Sequence, residues 1–231
     1  MMRLVFDARG EAGAAARQCE ADVFLDRFGN TAEELAGEYG PYDPASVFLA
    51  LVDDDGVAQA AARMIRPGPA GLKTINDLAR EPWGIDPVLA VRRAGLDPSA
   101  SWEAATFAVR RGVRRRGYDA MEALFYGVAV GSIVNGYETV TAIIDEHVLG
   151  MVSAMGLFLT AFPGAEPGPY LGSPSSSALY AHVGEILATQ RRVAPHKWRA
   201  ITTGEGLAGV TVPDPATMRL PPMPNGIATA G

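Results

Sequence analysis

The stretch SWEAATFAVRRGVRRRGYDAMEAL, residues 101–124, restricts the fold more than any other part of the chain. Its first nine residues predict a strand, with Trp102, Ala104, Thr106 and Ala108 on one face. A helix is predicted to begin at Asp119, where Glu122 would complete a capping box. The apolar spacing after that point predicts one buried helix face.

The β-branched segment ETVTAIID, residues 138–145, predicts a second strand after this helix. The helix itself is expected to stop at Asn135-Gly136, because glycine tolerates the left-handed conformation that commonly ends a helix. Strand, basic glycine-containing loop, capped helix and strand in succession are typical of a unit that holds an anionic group.

The loop between the first strand and the helix has two interpretations. It contains Arg110, Arg111, Arg114, Arg115 and Arg116, followed by Gly117. The first amides of a helix lack intrahelical partners, so a basic, glycine-containing loop at that position favours a bound phosphate. The alternative is a solvated, charged loop with no ligand, and spacing alone does not decide between the two.

Other elements follow from periodicity and turn residues. The segment 45–67 reads as a β-hairpin turning at Asp55-Gly56. Helices are also predicted at 11–28 and 147–156, and a last strand, or a short helix, at 177–187. The remaining predictions are a loop at 38–44, a short extended segment at 72–79, an irregular surface segment at 80–100 and a poorly ordered tail from Pro213.

Composition excludes several classes of protein. A net charge of −6 over 231 residues argues against a general nucleic-acid binder. With Cys19 as the only cysteine and three scattered histidines, neither an intrachain disulfide nor a paired-cysteine metal site is expected. No apolar run is long enough to cross a membrane and the N-terminus lacks a signal-peptide pattern. We therefore expect a cytoplasmic protein without a prosthetic group.

The segment RRRGYD, residues 114–119, resembles the coenzyme A diphosphate motif of the GNAT acyltransferases. That motif reads Arg or Gln, two residues, Gly, one residue, then Gly or Ala. Arg114 and Gly117 match it, whereas Asp119 replaces the small residue. The resemblance implies that Arg114, Arg115, Arg116 and Gly117 hold the donor's diphosphate.

A longer resemblance is to the acyl-homoserine-lactone (autoinducer) synthases, which have the GNAT fold. The matching pieces occur in the family's order over residues 20–190: VFLDRFG, EYGPYD, ARMIRP, LKTINDL, WEAATFAV and YLGSP. Three positions depart from the family. Gly40 stands where an aspartate is usual, Thr106 replaces an arginine, and Asn30 replaces a pocket tryptophan.

The resemblance implies a role for each matching residue. Glu103 would be the general base, and the alternative is a structural salt bridge between Glu103 and Arg63. Glu38 and Asp43 would bind or help to activate an amine, although Asp43 before Pro44 is also a common turn cap. Arg63 would anchor a substrate carboxylate or phosphate, or pair with Glu103.

The same resemblance implies a hydrogen-bond donor to the oxyanion, a residue that lines the substrate pocket and a group that protonates the leaving thiolate. The backbone amide of Ala108 or Val109 would polarise the thioester carbonyl, beside a bulge in the strand. Phe107 would line the substrate pocket. No tyrosine is available in the second helix, so Ser153, a water molecule or no group at all would protonate the leaving thiolate.

We therefore expect a single GNAT-like α/β domain over residues 1–200 with a mostly antiparallel sheet. A Pro/Gly-rich extension, partly disordered, is expected over residues 201–231. The expected function is N-acyl transfer from acyl-coenzyme A or an acyl-carrier protein to a small amine, such as an amino acid or its derivative. The alternative is a non-catalytic acyl-coenzyme A sensor or interaction module with the same fold.

Overall fold

The computed structural model describes residues 1–113 and 119–223. Nine strands form one sheet: β1 (Met2–Val5), β2 (Ser46–Val52), β3 (Ala58–Ile65), β4 (Ser101–Val109), β5 (Thr139–Asp145), β6 (Thr160–Ala161), β7 (Gly168–Tyr170), β8 (Ser173–His182) and β9 (Val210–Thr211). The α-helices of the described residues are α1 (Gly10–Phe28), α2 (Ala32–Tyr39), α3 (Lys73–Asp77), α4 (Pro87–Ala94), α5 (Ala120–Asn135), α6 (Glu146–Ala154), α7 (Val183–Val193) and α8 (Pro195–Thr203).

The sheet is mixed and mostly antiparallel, as the sequence predicts. Its strand order is β6-β8-β5-β4-β3-β2-β1-β9, and β7 also pairs with β8. The predicted hairpin is confirmed as β2 and β3, joined by the turn that contains Asp55 and Gly56. Parallel pairing occurs between β4 and β5 and between β1 and β9.

Helices cover both faces of this sheet. Alternating residues of β2 separate the two sides: Phe48 and Ala50 pack with α1, whereas Leu49 and Leu51 pack with α5. The approach of α5 to the sheet is close, because a Cβ on Gly131 would lie 2.8 Å from the Trp102 ring. This packing fixes α5 over β4 and so determines where the neighbouring site opens.

A β-bulge interrupts β4 at Ala105. Arg63 of β3 pairs with Thr106, but the next β3 residue, Met64, pairs with Ala104. One extra residue reverses the alternation that follows it. The predicted faces are therefore wrong beyond Ala105: Phe107 packs on the α5 side with Trp102, whereas Ala108 packs on the α1 side.

Three local predictions also need correction. The segment at 72–79 contains helix α3, which is too short for a periodic pattern to reveal it. The segment at 80–100 contains α4, capped by Asp86, and buries Trp83 and Ala90 in a hydrophobic cluster. The predicted last strand ends at His182, and α7 follows directly.

The predicted capping box of α5 does not form. The Asp119 carboxylate accepts a hydrogen bond from the Ala208 amide, and Glu122 forms an ion pair with Lys197. Both side chains therefore bind the C-terminal segment of the chain. Helix α8 crosses position 201, and Met218 is fully buried beside α5.

Candidate functional site

The candidate site is a large cavity at the gap between β4 and β5. These parallel strands pair only through Ser101–Glu103 and Thr139–Thr141 in the described part of the chain. Beyond Glu103 they separate, and the cavity opens between them with about 1260 Å³ of empty space, including its open mouth. Its walls come from both faces of the sheet, so it passes through the sheet at this gap.

On the α5 side the cavity is apolar. Aliphatic and aromatic side chains line it, and Phe107 stacks on Phe125 with ring centroids 5.1 Å apart. The other lining residues of this side are Val128, Ala129, Val140, Ala142, Val148, Val152, Leu157, Leu159, Ala181, Val183, Ile186, Leu187 and Ile201. An aliphatic chain entering from the gap would meet apolar surface here, which favours its burial.

On the α1 side the wall is aromatic with polar tips. Phe24, Phe28, Tyr39 and Tyr170 contribute to it, together with Leu171. The corner that carries Tyr170 and Leu171 lies against the end of α1, because Gly172 beside it leaves room for the Phe28 carbonyl. The wall is therefore assembled from elements far apart in sequence.

Glu103 lies buried next to this wall, at 2% exposure. Its Oε2 accepts a hydrogen bond of 2.8 Å from the backbone amide of Thr74, the second residue of α3. The following residues Ala104 and Ala105 line the cavity, whereas Glu103 is set behind them. Burial raises the pKa of Glu103 to about 7, although the Thr74 hydrogen bond and the Lys73 charge act to lower it.

Arg63 pairs with Glu20 and Asp43 rather than with Glu103, so the predicted structural salt bridge does not form. Its guanidinium donates to both Glu20 oxygens at 3.0 and 2.6 Å and to Asp43 at 2.7 Å. The Thr106 hydroxyl donates to the same Glu20 carboxylate. Thr106 stands where the sequence resemblance implies an arginine, so this position supplies no charge to the site.

A second ionic group surrounds Lys73, which is 2% exposed. Its Nζ contacts Asp77 at 2.5 Å, the Tyr170 hydroxyl at 2.6 Å and Glu38 at 2.9 Å. The Tyr170 hydroxyl in turn donates to Asp77. Burial acts to lower the pKa of Lys73, but the Asp77 and Glu38 carboxylates outweigh it and raise that pKa.

Tyr39 links the two ionic groups. The Arg63 guanidinium and the Lys73 ammonium lie 4.7 and 5.5 Å from its ring centroid. Its hydroxyl donates to the carbonyl of Ala105, the bulge residue, at 3.4 Å. The two ion-paired groups therefore lie directly behind the α1-side wall.

Sequence reasoning placed Glu38, Asp43, Arg63 and Glu103 in one site. In the structure none of the four lines the cavity, and they lie behind its α1-side wall. It missed Glu20, Lys73, Asp77 and Tyr170. Lys73 and Asp77 are spaced i,i+4 in LKTIND, a pattern that also suits an exposed helix. Glu20 resembles the other charged residues of α1 in sequence, and only burial separates it from them.

The backbone of β4 narrows the choice of an oxyanion donor. The Arg110 amide donates to the Gln59 carbonyl of the β3 side, so by strand alternation the Ala108 amide also points to β3. The Phe107 and Val109 amides point to the opposite edge, where β5 has diverged. Of the two predicted donors, the Val109 amide is therefore better placed than the Ala108 amide. The Phe107 amide is a further candidate.

Ser153, Arg110 and Arg111 do not line the cavity. Ser153 is on α6, whose side chains in the cavity wall are Val148 and Val152. Arg110 and Arg111 pair with Asp22 and Asp26 of α1. The predicted diphosphate site, Arg114, Arg115, Arg116 and Gly117, lies outside the described residues.

No group of histidine, cysteine and carboxylate side chains in the described ranges has a metal-binding arrangement. Within those ranges, none of the helices combines the length and apolarity that a membrane span requires.

Comparison with solved structures identifies the fold. FeeM, an N-acyl amino acid synthase from uncultured soil microbes, is 17% identical with a TM-score of 0.60, over 82% of this chain and 94% of that chain. BjaI, a CoA-dependent acyl-homoserine-lactone synthase solved with SAM and isopentyl-CoA, is 17% identical with a TM-score of 0.54, over 94% and 98%. The chain has the GNAT fold of the acyl-homoserine-lactone synthases.

The synthase LasI gives a similar result, with 18% identity and a TM-score of 0.52 over 93% of this chain and 98% of that chain. No protein-family model matches the sequence. A search of curated proteins gives no match either. The GNAT fold is thus confirmed by structure, at identities too low to transfer substrates.

Proposed function

We propose that this chain is an N-acyltransferase that moves an acyl group from a thioester donor to a small amine. The observation that carries the proposal is the cavity through the β4–β5 gap. One side of the gap offers apolar space for an acyl chain, and the other offers a polar end beside the buried Glu103. The fold is shared with synthases whose names describe acyl transfer.

In the proposed reaction the amine nitrogen attacks the thioester carbonyl carbon at the gap. A C–N bond forms, the C–S bond breaks, and the donor's thiolate leaves and takes up a proton. The outward amides of Phe107 and Val109 stabilise the carbonyl oxygen as it becomes negative. Ser153 does not line the cavity, so we assign that proton to water.

Glu103 accepts a proton from the ammonium group of the acceptor, which frees the nitrogen lone pair that attacks the thioester carbon. Because Glu103 lies behind Ala104 and Ala105, we propose that a water molecule carries the proton to it. A base with a pKa near 7 is matched to neutral pH, since it is ionised enough to accept a proton and basic enough to hold it. The ionic groups around Arg63 and Lys73 support the α1-side wall from behind, through the Tyr39 ring.

The donor is proposed to be acyl-coenzyme A or an acyl-carrier protein. Arg114, Arg115, Arg116 and Gly117 remain the sequence-based proposal for its diphosphate or phosphopantetheine end. Replacing Arg114 and Arg116 with alanine should weaken acyl-coenzyme A binding. The same change at Arg111, which pairs with Asp26, should have a smaller effect.

The function is tested by incubating the protein with acyl-coenzyme A donors of four to sixteen carbons and a panel of small amines. We expect an N-acyl amide, detected by mass spectrometry, together with one free thiol per amide. Absence of any amide with every pair, while acyl-coenzyme A still raises the melting temperature, would contradict catalysis and favour an acyl-coenzyme A sensor.

A further inference from the structure

The charges around the cavity are unevenly distributed. Among the described residues that line it, Asp145 is the only one with a charged side chain. It lies at the end of β5, where Oδ1 accepts hydrogen bonds from the His147 and Val148 amides and Oδ2 accepts one of 2.6 Å from Ser173. The wall therefore presents a fixed negative charge and, within the described residues, no positive one.

The cations behind the α1-side wall are already occupied by carboxylates. Arg63 binds Glu20 and Asp43, and Lys73 binds Asp77 and Glu38. Arg17 joins the group through Asp43, and Arg80 joins it through Asp77 at 3.5 Å. The four cations therefore balance the four carboxylates, and Glu103 adds a negative charge when it is ionised.

This arrangement discriminates between classes of acceptor. An ammonium group is attracted to the excess negative charge, and desolvation by the apolar walls strengthens that attraction. Because no described lining residue is a cation, a carboxylate on the acceptor would be desolvated there without an opposite charge and would share the cavity with Asp145. The aromatic wall, where the Phe24 and Phe28 ring centroids are 5.4 Å apart, suits an aryl or alkyl substituent.

We infer that the acceptor is an apolar or aromatic amine without a carboxylate, and that the Asp145 carboxylate excludes amino acids from the cavity. The product is then a neutral N-acyl amide. The bonds that form and break in the reaction are unchanged, because the inference specifies only the substituent of the acceptor amine. This inference rests on the proposed function, but ligand binding tests it without turnover.

The test compares two pairs of product-like probes, the N-hexanoyl and N-dodecanoyl amides of phenethylamine and of phenylalanine. Dissociation constants are measured by calorimetry at pH 8. We expect the neutral phenethylamine amides to bind at least tenfold more tightly than the phenylalanine derivatives. Equal or tighter binding of the carboxylates would overturn the inference alone. If none of the probes binds, the proposed function fails as well.

A matched pair of variants assigns the exclusion to Asp145. Asp145→Asn keeps an N-cap oxygen that accepts from the His147 and Val148 amides, while its NH2 group takes the place of the oxygen that accepts from Ser173. The variant should lower the preference for the neutral probe at least threefold. Asp86→Asn is the control, because Asp86 caps α4 through the Val88 and Leu89 amides and does not line the cavity. An unchanged preference in Asp145→Asn, or an equal loss in both variants, would overturn the assignment.

Discussion

The backbone amide of Thr74 donates a 2.8 Å hydrogen bond to the carboxylate of Glu103, so α3 holds the proposed base from the side opposite the sheet. This bond stabilises the ionised form, but burial opposes it more strongly and raises the pKa of Glu103 to about 7 from 4.5. The carboxyl is thus poised between its two forms near neutral pH.

Stability should depend on the ionisation of Glu103. Because its folded pKa lies above its unfolded value, the carboxyl's stabilising contribution is complete below pH 4.5 and is lost as the pH rises through about 7. Glu103→Gln cannot ionise and keeps an acceptor for the Thr74 amide. The free energy of unfolding of the variant, relative to wild type, should therefore be higher at pH 8 than at pH 4.5 by on the order of 1–3 kcal/mol. Its relative melting temperature should rise in the same direction.

The control for this measurement is Glu33→Gln, an exposed carboxyl in the first turn of α2. Its difference from wild type should change little between the two pH values. A pH-independent difference for Glu103→Gln would contradict the buried, perturbed carboxyl.

Activity should require the ionised form of Glu103. The value of kcat/KM should rise about tenfold per pH unit below its inflection near pH 7 and flatten above it. Acceptor amines with different pKa values distinguish the ionisation of Glu103 from the ionisation of the amine itself. The inflection of the amine should move with its own pKa, while the one near 7 stays in place. A profile without the fixed inflection would exclude Glu103 as the base.

Ala129 of α5 should control acyl-chain length, because it lines the apolar side of the cavity. Ala129→Leu fills part of that space and should shift the preferred donor to chains shorter by roughly two to three carbons. Short-chain donors should retain most of their kcat/KM. Ala188→Leu on the exposed surface of α7 is the matched control. An unchanged length profile in Ala129→Leu would place the acyl chain elsewhere.

Arg63 should be essential for stability as well as for the site. Arg63→Met leaves the 2%-exposed Glu20 without a charge partner, and a loss of about 3–5 kcal/mol is expected. Arg111→Met breaks an ion pair whose arginine is 69% exposed and should cost less than about 1 kcal/mol. Urea denaturation measures both. Equal, small losses would show that the Arg63–Glu20 pair is dispensable.

Local patterns predicted the hairpin at Asp55-Gly56 and the helix ending at Gly136, because turn residues and periodicity are encoded over short distances. The fold class was predicted from the resemblance to the acyl-homoserine-lactone synthases. The same resemblance is the basis on which Glu103, Arg63, Asp43 and Glu38 were predicted as site residues. The bulge at Ala105 was expected near this position, but its register was not, and the faces of Phe107 and Ala108 were therefore reversed.

The remaining site residues depend on long-range packing. Lys73 and Tyr170 are separated by 97 positions, and their contact exists only because α3 and the β7–β8 corner meet beside β4. The divergence of β5 from β4 beyond Glu103 is likewise a property of the assembled sheet. Neither feature has a local sequence signature.

The most direct test of acyl transfer compares wild type with Glu103→Gln in two quantities measured on the same samples. These are the dissociation constant for an acyl-coenzyme A and the rate of amine-dependent thiol release. Catalysis through Glu103 predicts that the variant binds the donor within about threefold of wild type and releases thiol at least about 100-fold more slowly. Equal rates, or a wild-type protein that binds the donor and releases no thiol with any amine, would contradict it.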